Sequence, residues 1–362
     1  MPLLTTQMSM KNKLFKEWTS FKTTTRFRQW VHTKEGYAFS ILLMLIVLLL
    51  SILLSVSIGV AGGNFKTLLQ TLAHPHNPSE IGRIMLEMRM PRALAACFTG
   101  TAFALAGAIM QGVTGNPLAD AGLLGINAGA GFFVALTAVL LPSISVFGTM
   151  FSAFLGAALA VLMVYGLGIG NHKSGAIRLV LAGSAVSALL TALSQGISLT
   201  FGISKDLSFW TAGSLSGISW TQLIVTTPWI MGAAFAGVLL SEKLSVLALG
   251  EESAAGLGLN LWAVRLTGIA VVLILAGASV SLVGGISFLG LIVPHSARLL
   301  VGADYRRVLP ASALLGAILL VLADVAARTI HAPFDTPVGA LVSAIGVPVF
   351  LALTYRKKGA AI

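Results

Sequence analysis

Apolar residues in this chain gather in long, nearly unbroken runs instead of alternating with charge. The first runs from about Tyr37 to Val60, and others follow at 93–113, 119–141, 148–169, 178–201, 221–241, 261–283, 286–301, 308–329 and 338–355. A helix needs about 20 predominantly apolar residues to cross a bilayer, so the pattern predicts ten spans, the weakest being 286–301, which is short and contains Pro294 and His295. A different pattern lies after the first run. Phe65, Leu68, Leu69 and Leu72 recur at i, i+3, i+4 and i+7 behind Asn64, a good capping residue. That spacing predicts a short amphipathic helix lying in the membrane interface.

Composition agrees with the runs. Of 362 residues 56% are hydrophobic and 10% charged, and the mean hydropathy is +0.93. Soluble domains carry about a quarter charged residues, so this surface must face lipid. The fold class expected is all-α: a polytopic membrane protein of about ten transmembrane helices. The 39 glycines lie inside the runs as well as between them, where they let helix backbones approach closely. The first run is longer than a signal-peptide core of about 7–15 residues and follows a long leader, so a retained first span is expected.

Charge adds topology. Ten spans put both termini on one side. With that side cytoplasmic, the inner segments hold 17 Lys and Arg, including Lys11, Lys13, Lys16, Lys22, Arg26, Arg28 and Lys34 in the leader, and the outer segments hold six, Lys66, Arg83, Arg89, Arg92, Lys205 and Arg328. Inner positive charge is the usual bias. It divides the chain into a basic cytoplasmic tail, 1–36, suited to an anionic membrane surface, and a transmembrane domain, 37–358, with a cytoplasmic loop at about 242–262. The scatter of charge over separate loops argues against nucleic acid, despite the net +11. Trp210 and Trp220 fall near outer span ends, as an aromatic belt places them.

Chemistry-bearing motifs are few. HExxH, GxSxG and the P-loop pattern are absent from the sequence, so a membrane enzyme with those signatures is excluded and ATP is not hydrolysed here by a P-loop. No metal or cofactor site is expected in the chain. Cys97, the single cysteine, permits no intrachain disulfide and reads as a buried thiol. His74 and His76, on either side of Pro75, read as loop residues before metal ligands. Asp324 is the only carboxylate well inside a run, with Arg328 one turn later, and reads as a local ion pair. Proton-driven transport calls for a relay of such groups, which disfavours a stand-alone secondary transporter. On 178–201, Ser184, Ser187, Thr191, Ser194 and Ser198 share a face with Gln195 beside it. Two readings stand: a passage for a bulky neutral solute, or small polar residues that pack helices. Glu251 and Glu252 begin a short helix in the 242–262 loop that Gly256 or Gly258 can end. Arg89, Arg92 and Arg328 break the outer sign trend. They read either as interface anchors or as arginines awaiting a partner's carboxylates.

At these residues the sequence resembles the iron-siderophore and vitamin B12 permeases of ABC importers, from about Ile41 to the end. The resemblance rests on RMPRALAACFTGTAFALAGAIMQGVTGNPLADAGLLGINAGAG (89–131), LAG (181–183), LALGEESAAGLG (247–258), GGISFLGLIVPHSARLLVGADYRRVLP (284–310), LADVAAR (322–328) and PVGALVSAIGVPVF (337–350). It implies a type II ABC importer permease fold in the bacterial cytoplasmic membrane. The implied partners are a second permease subunit, identical or related, two ATP-binding subunits that hold ATP and Mg, and an extracytoplasmic substrate-binding protein. It implies that Leu249, Gly250, Glu251, Glu252, Ala255 and Gly258 belong to the coupling segment facing the ATPase. By the same resemblance Arg89, Arg92 and Arg328 receive glutamates of the binding protein, and the 178–201 helix lines the passage. The implied cargo is a ferric siderophore, with a lean toward hydroxamates; haem and cobalamin share the architecture. Asn116, Pro117, Pro294 and His295 match motif positions assigned to structure. One departure is Ala121, where the family often has Pro.

Overall fold

The computed structural model describes residues 33–59, 62–74, 78–168 and 175–358, the side chains of 168, 175–177 and 352–358 excepted. Residues 1–32 of the expected basic tail lie outside the described residues. So do His76, Lys173 and the side chains of Arg356, Lys357 and Lys358.

The first span, α1, covers Lys34–Ser57, with the Thr33 hydroxyl accepting from the Gly36 N–H at 3.1 Å as its cap. It is Leu-, Ile- and Val-rich on every face, yet only 22% of its most apolar window is buried in the bundle. A helix apolar all round and so exposed belongs in lipid. Next, α2 (Phe65–Ala73) is the predicted amphipathic helix. Asn64 caps it, accepting from Thr67 N–H at 2.9 Å, and Leu68 is buried while Phe65, Leu69 and Leu72 stay exposed.

The second span starts earlier than its apolar run. A helix opens at Glu80–Ile84 (α3), capped by Ser79, widens into a π turn over Met85–Arg89, and continues as α4, Met90–Thr114. Pro91 lacks an N–H and its ring presses on the carbonyl one turn back. The widened turn ahead of it absorbs both defects. Charge and Pro between Arg83 and Arg92 made this stretch read as loop.

α4 is the centre of the bundle, and 78% of its apolar window is buried. Its inner face is Ala and Gly, which lets neighbours approach to backbone contact. A methyl added to Gly107 would overlap the Gly290 carbonyl, and one added to Gly100 would overlap that of Gly316.

The third apolar run does not form a full span. Gly115 (φ 62°) ends α4, a 3-10 turn follows at Ala121–Leu124, and Gly125 (φ 72°) turns the chain into α5, Ile126–Leu140. Ala121 donates its N–H to the Asp120 carboxylate at 2.8 Å, a bond that proline at this position could not make.

There follow α6 (Val146–Gly168), α7 (Gly175–Thr200), α8 (Ser204–Thr211), α9 (Trp220–Leu247), α10 (Glu251–Gly256), α11 (Leu261–Val283), α12 (Leu289–Val301), α13 (Tyr305–Thr329) and α14 (Val338–Lys358). Seven helices among the described residues are long and apolar enough to cross a membrane, with shorter apolar helices at Ile126–Leu140, Leu289–Val301 and Val338–Leu351. Together they occupy the ten predicted runs. α9 outlasts its run by six residues; in this extension Glu242 lies 3.7 Å from Arg306, and Ser245 donates to Asp304 at 2.7 Å.

Contacts define two ends. One gathers the end of α1, the start of α4, α8, the start of α9 and the end of α13; Trp220 donates to the Leu86 carbonyl there at 2.9 Å. The opposite end gathers the start of α1, the end of α9, α10 and the starts of α11 and α13, where Arg307 stacks over the Tyr37 ring at 5.4 Å.

Candidate functional site

Successive polar residues on α7 fall three or four apart, so they form one face. Five of the six predicted residues of this stripe, Ser187, Thr191, Ser194, Gln195 and Ser198, line a cavity of about 390 Å3. Ser184 does not; it is exposed and donates to the Val180 carbonyl at 2.9 Å. The stripe divides by chemistry. Ser194 and Ser198 are buried and spend their hydroxyls on their own helix, donating to the Leu190 carbonyl at 2.8 Å and the Gln195 carbonyl at 3.0 Å. That is the packing role. The side chains of Ser187, Thr191 and Gln195 have no protein partner among the described residues.

Two further elements close the cavity. α5 contributes Asn127, Ala128 and Gly131, and α8 contributes Leu207, Ser208 and Thr211, with Gly122 completing the wall. The Asn127 amide also lacks a protein partner among the described residues. α8 is pinned to α7 by the Ser204 hydroxyl, which donates to the Ser198 carbonyl at 3.1 Å. Sequence reading missed α8 and Asn127. The eight-residue helix SKDLSFWT is too polar for a span and too short to nucleate alone, and Asn127 sits in an apolar run with no polar neighbour on its face. Among the described residues the wall carries no ionisable side chain.

Four charged residues meet near one end of the bundle. Arg92 bonds the Asp324 carboxylate from Nε at 2.9 Å and the Asp335 carboxylate from Nη1 at 2.9 Å, and Arg328 lies 3.2 Å from the other Asp324 oxygen. Asp324 is fully buried. Arg328 also donates to the Ser55 hydroxyl at 2.8 Å and to the carbonyls of Ser55 and Ile58 at 3.1 and 3.2 Å. Arg89 donates to the carbonyls of Val56, Ser57 and Gly62 at 3.3, 3.2 and 2.7 Å. All but the Gly62 carbonyl, which lies in the loop beyond, belong to the end of α1, where the last carbonyls lack helical partners, so the arginines cap α1 and lock it to α4 and α13.

Two readings stood for Arg89, Arg92 and Arg328, interface anchors or arginines that receive a partner's carboxylates. Arg89 is 6% and Arg328 8% exposed, and all three are engaged within the chain. A guanidinium without partners could not remain at that depth. The Asp324–Arg328 pair was legible at i, i+4; Asp335, in the loop after α13, was not. Burial opposes the charge on Asp335, but hydrogen bonds from Arg92 and Ser216 and the nearby guanidinium charges prevail, and its carboxyl lies below the ordinary carboxylate range.

At the other end α10 projects between two left-handed glycines, Gly250 (φ 106°) and Gly258 (φ 82°). Ala254 is its buried anchor, while Ala255 and Glu252 are exposed and Leu249 and Leu257 are 66% and 68% exposed. Glu251 is not free: it forms an ion pair with Arg265 on α11. No group of three or more His, Cys, Asp or Glu that could hold a metal is found among the described residues.

Comparison with known proteins places this geometry. The model of the FecCD transport family matches residues 46–356. The iron(3+)-hydroxamate import system permease protein FhuB of Bacillus subtilis is 39% identical over 342 residues, covering 94% of this chain and 88% of that protein. The hemin transport system permease protein HmuU of Yersinia pestis is 40% identical over 324 residues, covering 87% of this chain and 95% of that protein. A solved metal-chelate type ABC transporter in an inward-facing conformation superposes with a TM-score of 0.76 at 26% identity, over 87% of this chain and 98% of that one.

Proposed function

The chain belongs to the FecCD transport family, and from that premise we propose that it is the membrane-spanning permease subunit of an ATP-driven importer. Its cargo is a ferric siderophore, carried across the bacterial cytoplasmic membrane, with both termini on the cytoplasmic side. The observation that carries this reading is coverage: the likeness to the hydroxamate permease extends over 94% of the chain and so includes the cavity, the charged cluster and α10.

ATP and Mg are held by two partner ATPase subunits. Leu249, Gly250, Glu251, Glu252, Ala255 and Gly258 form the surface they press on. The exposure of Leu249, Leu257 and Glu252 supports this, since apolar groups on so short a projection gain by being covered. A second permease subunit completes the passage, and an extracytoplasmic binding protein docks at the end where Arg89, Arg92 and Arg328 cluster. Because these arginines are already engaged, a docking carboxylate competes with Asp335 for Arg92. A haem importer of the same architecture is a second reading, favoured by the 40% identity to the hemin permease.

The test is uptake of iron-55 siderophore into proteoliposomes containing the permease, its ATPase partner and the loaded binding protein. Uptake should require ATP hydrolysis. Glu252→Lys should leave the protein folded and ATP turnover intact while uptake falls. Uptake that proceeds without the ATPase would sink the reading.

A further inference from the structure

Resting on the importer reading above, we infer that the cavity between α5, α7 and α8 selects iron chelates of zero net charge, of the ferric trihydroxamate type, over anionic chelates. Identity to relatives does not choose between these, since 39% is shared with a hydroxamate permease and 40% with a hemin permease. The wall does. Among the described residues it carries hydroxyls, two amides and small apolar groups, and no Lys, Arg, His, Asp or Glu. The closest charges along α8, Lys205 and Asp206, are adjacent, opposite in sign and off the wall.

An anionic chelate leaving water for this cavity finds no counter-charge, and burying an unpaired charge is costly. A ferric trihydroxamate meets no such cost: three hydroxamate anions balance iron(III), and the complex presents carbonyl and amide groups at its rim. Asn127, Ser187, Thr191 and Gln195 can answer those groups, because their side chains have no protein partner among the described residues. Unmade hydrogen bonds at a cavity wall are what a neutral, hydrogen-bonding ligand satisfies. The volume, about 390 Å3 from one chain, lies within the ~300–1,000 Å3 of small-molecule sites.

The experiment compares two ferric trihydroxamates that differ only at a terminal amine, acetylated (neutral) or succinylated (one negative charge). Turnover is measured in the complete reconstituted importer at saturating binding protein, whose loading with each chelate is determined separately. The neutral chelate should turn over about tenfold faster or more, one decade being about 1.4 kcal/mol of barrier. Thr191→Lys should pull that ratio toward one by supplying the missing counter-charge. Co-purification of the ATPase checks assembly, and Gln195→Lys serves in its place if Thr191→Lys does not assemble. Equal turnover of both chelates in the wild-type importer overturns the inference and leaves the importer reading standing, as does a ratio unmoved in an assembled lysine variant. ATP-dependent uptake of neither chelate overturns both.

Discussion

Removing the carboxylate of Asp324 strands two buried guanidinium groups, and the structure sets how much that costs. Asp324 is fully buried, receives Arg92 at 2.9 Å and lies 3.2 Å from Arg328. Deleting one partner of a buried ion pair costs about 3–5 kcal/mol, because the surviving charge is left uncompensated. Here the survivors keep something. Arg92 retains Asp335 at 2.9 Å, and Arg328 retains the Ser55 hydroxyl and two carbonyls. Asp324→Leu should therefore fall at the lower end, about 3 kcal/mol. Arg92→Met removes the other side of the contact. The double variant removes both charges and should lose less than the sum of the single losses, by about 1–3 kcal/mol, as contacting residues do. The assay is reversible unfolding of the purified permease in mixed micelles, followed by loss of helicity, for the wild type and the three variants. A loss below about 1 kcal/mol for Asp324→Leu, or strict additivity, would refute the idea that this cluster locks α1, α4 and α13 together.

Two further outcomes follow from the packing and the charges. Gly107→Leu drives a side chain into the Gly290 carbonyl; overpacking costs about 1–3 kcal/mol, so the variant should melt earlier and yield less folded protein, whereas Gly166→Leu, which has open space, should not. Asp335 is held below the ordinary carboxylate range, so its contribution is complete above the unfolded value of about 4 and is lost as pH falls through the folded one. The destabilisation caused by Asp335→Asn should be constant from about pH 8 to 5 and shrink below that; a gap that widened on acidification would contradict the sign.

What the sequence made legible follows from which interactions are local. The runs exposed the spans because a lipid-facing helix is apolar all round, and Phe65–Leu72 exposed α2 because its period is 3.6. The stripe from Ser187 to Ser198 was readable for the same reason. Its meaning was not, because packing and lining hydroxyls look alike until the structure shows Ser194 and Ser198 bonded to their own helix and Thr191 and Gln195 left open. Long-range partners stayed hidden. Arg92 and Asp335 are 243 positions apart, and nothing local announces that Arg89 ends on the carbonyls of α1. The start of the second span was misjudged for a related reason: Arg89 and Arg92 look like a loop when their partners are unseen.

The placement of these ties argues for which parts of the molecule move. α4 and α13 are joined at both ends and in the middle: by Arg92–Asp324 at one end, by Gly100 against Gly316 along their length, and at the other end by Gly112 packed against the Tyr305 ring. α13 is tied onward to α9 through Asp304 and Ser245. Among the described residues α7 has no comparable polar tie to this spine, and 22% of its apolar window is buried against 56% for α13. Local opening draws on the elements with the fewest buried contacts, so a passage that must widen should do so through α7 and α8 while α4 and α13 hold still. Hydrogen–deuterium exchange on the assembled importer, with and without nucleotide, tests this. Amides of α4 and α13 should exchange slowest in both states, and those of α7 and α8 should change most between them. Nucleotide-dependent exchange concentrated in α4 or α13, with α7 and α8 unchanged, would show that the spine is the moving part and that the ion-pair cluster is a joint, not a lock.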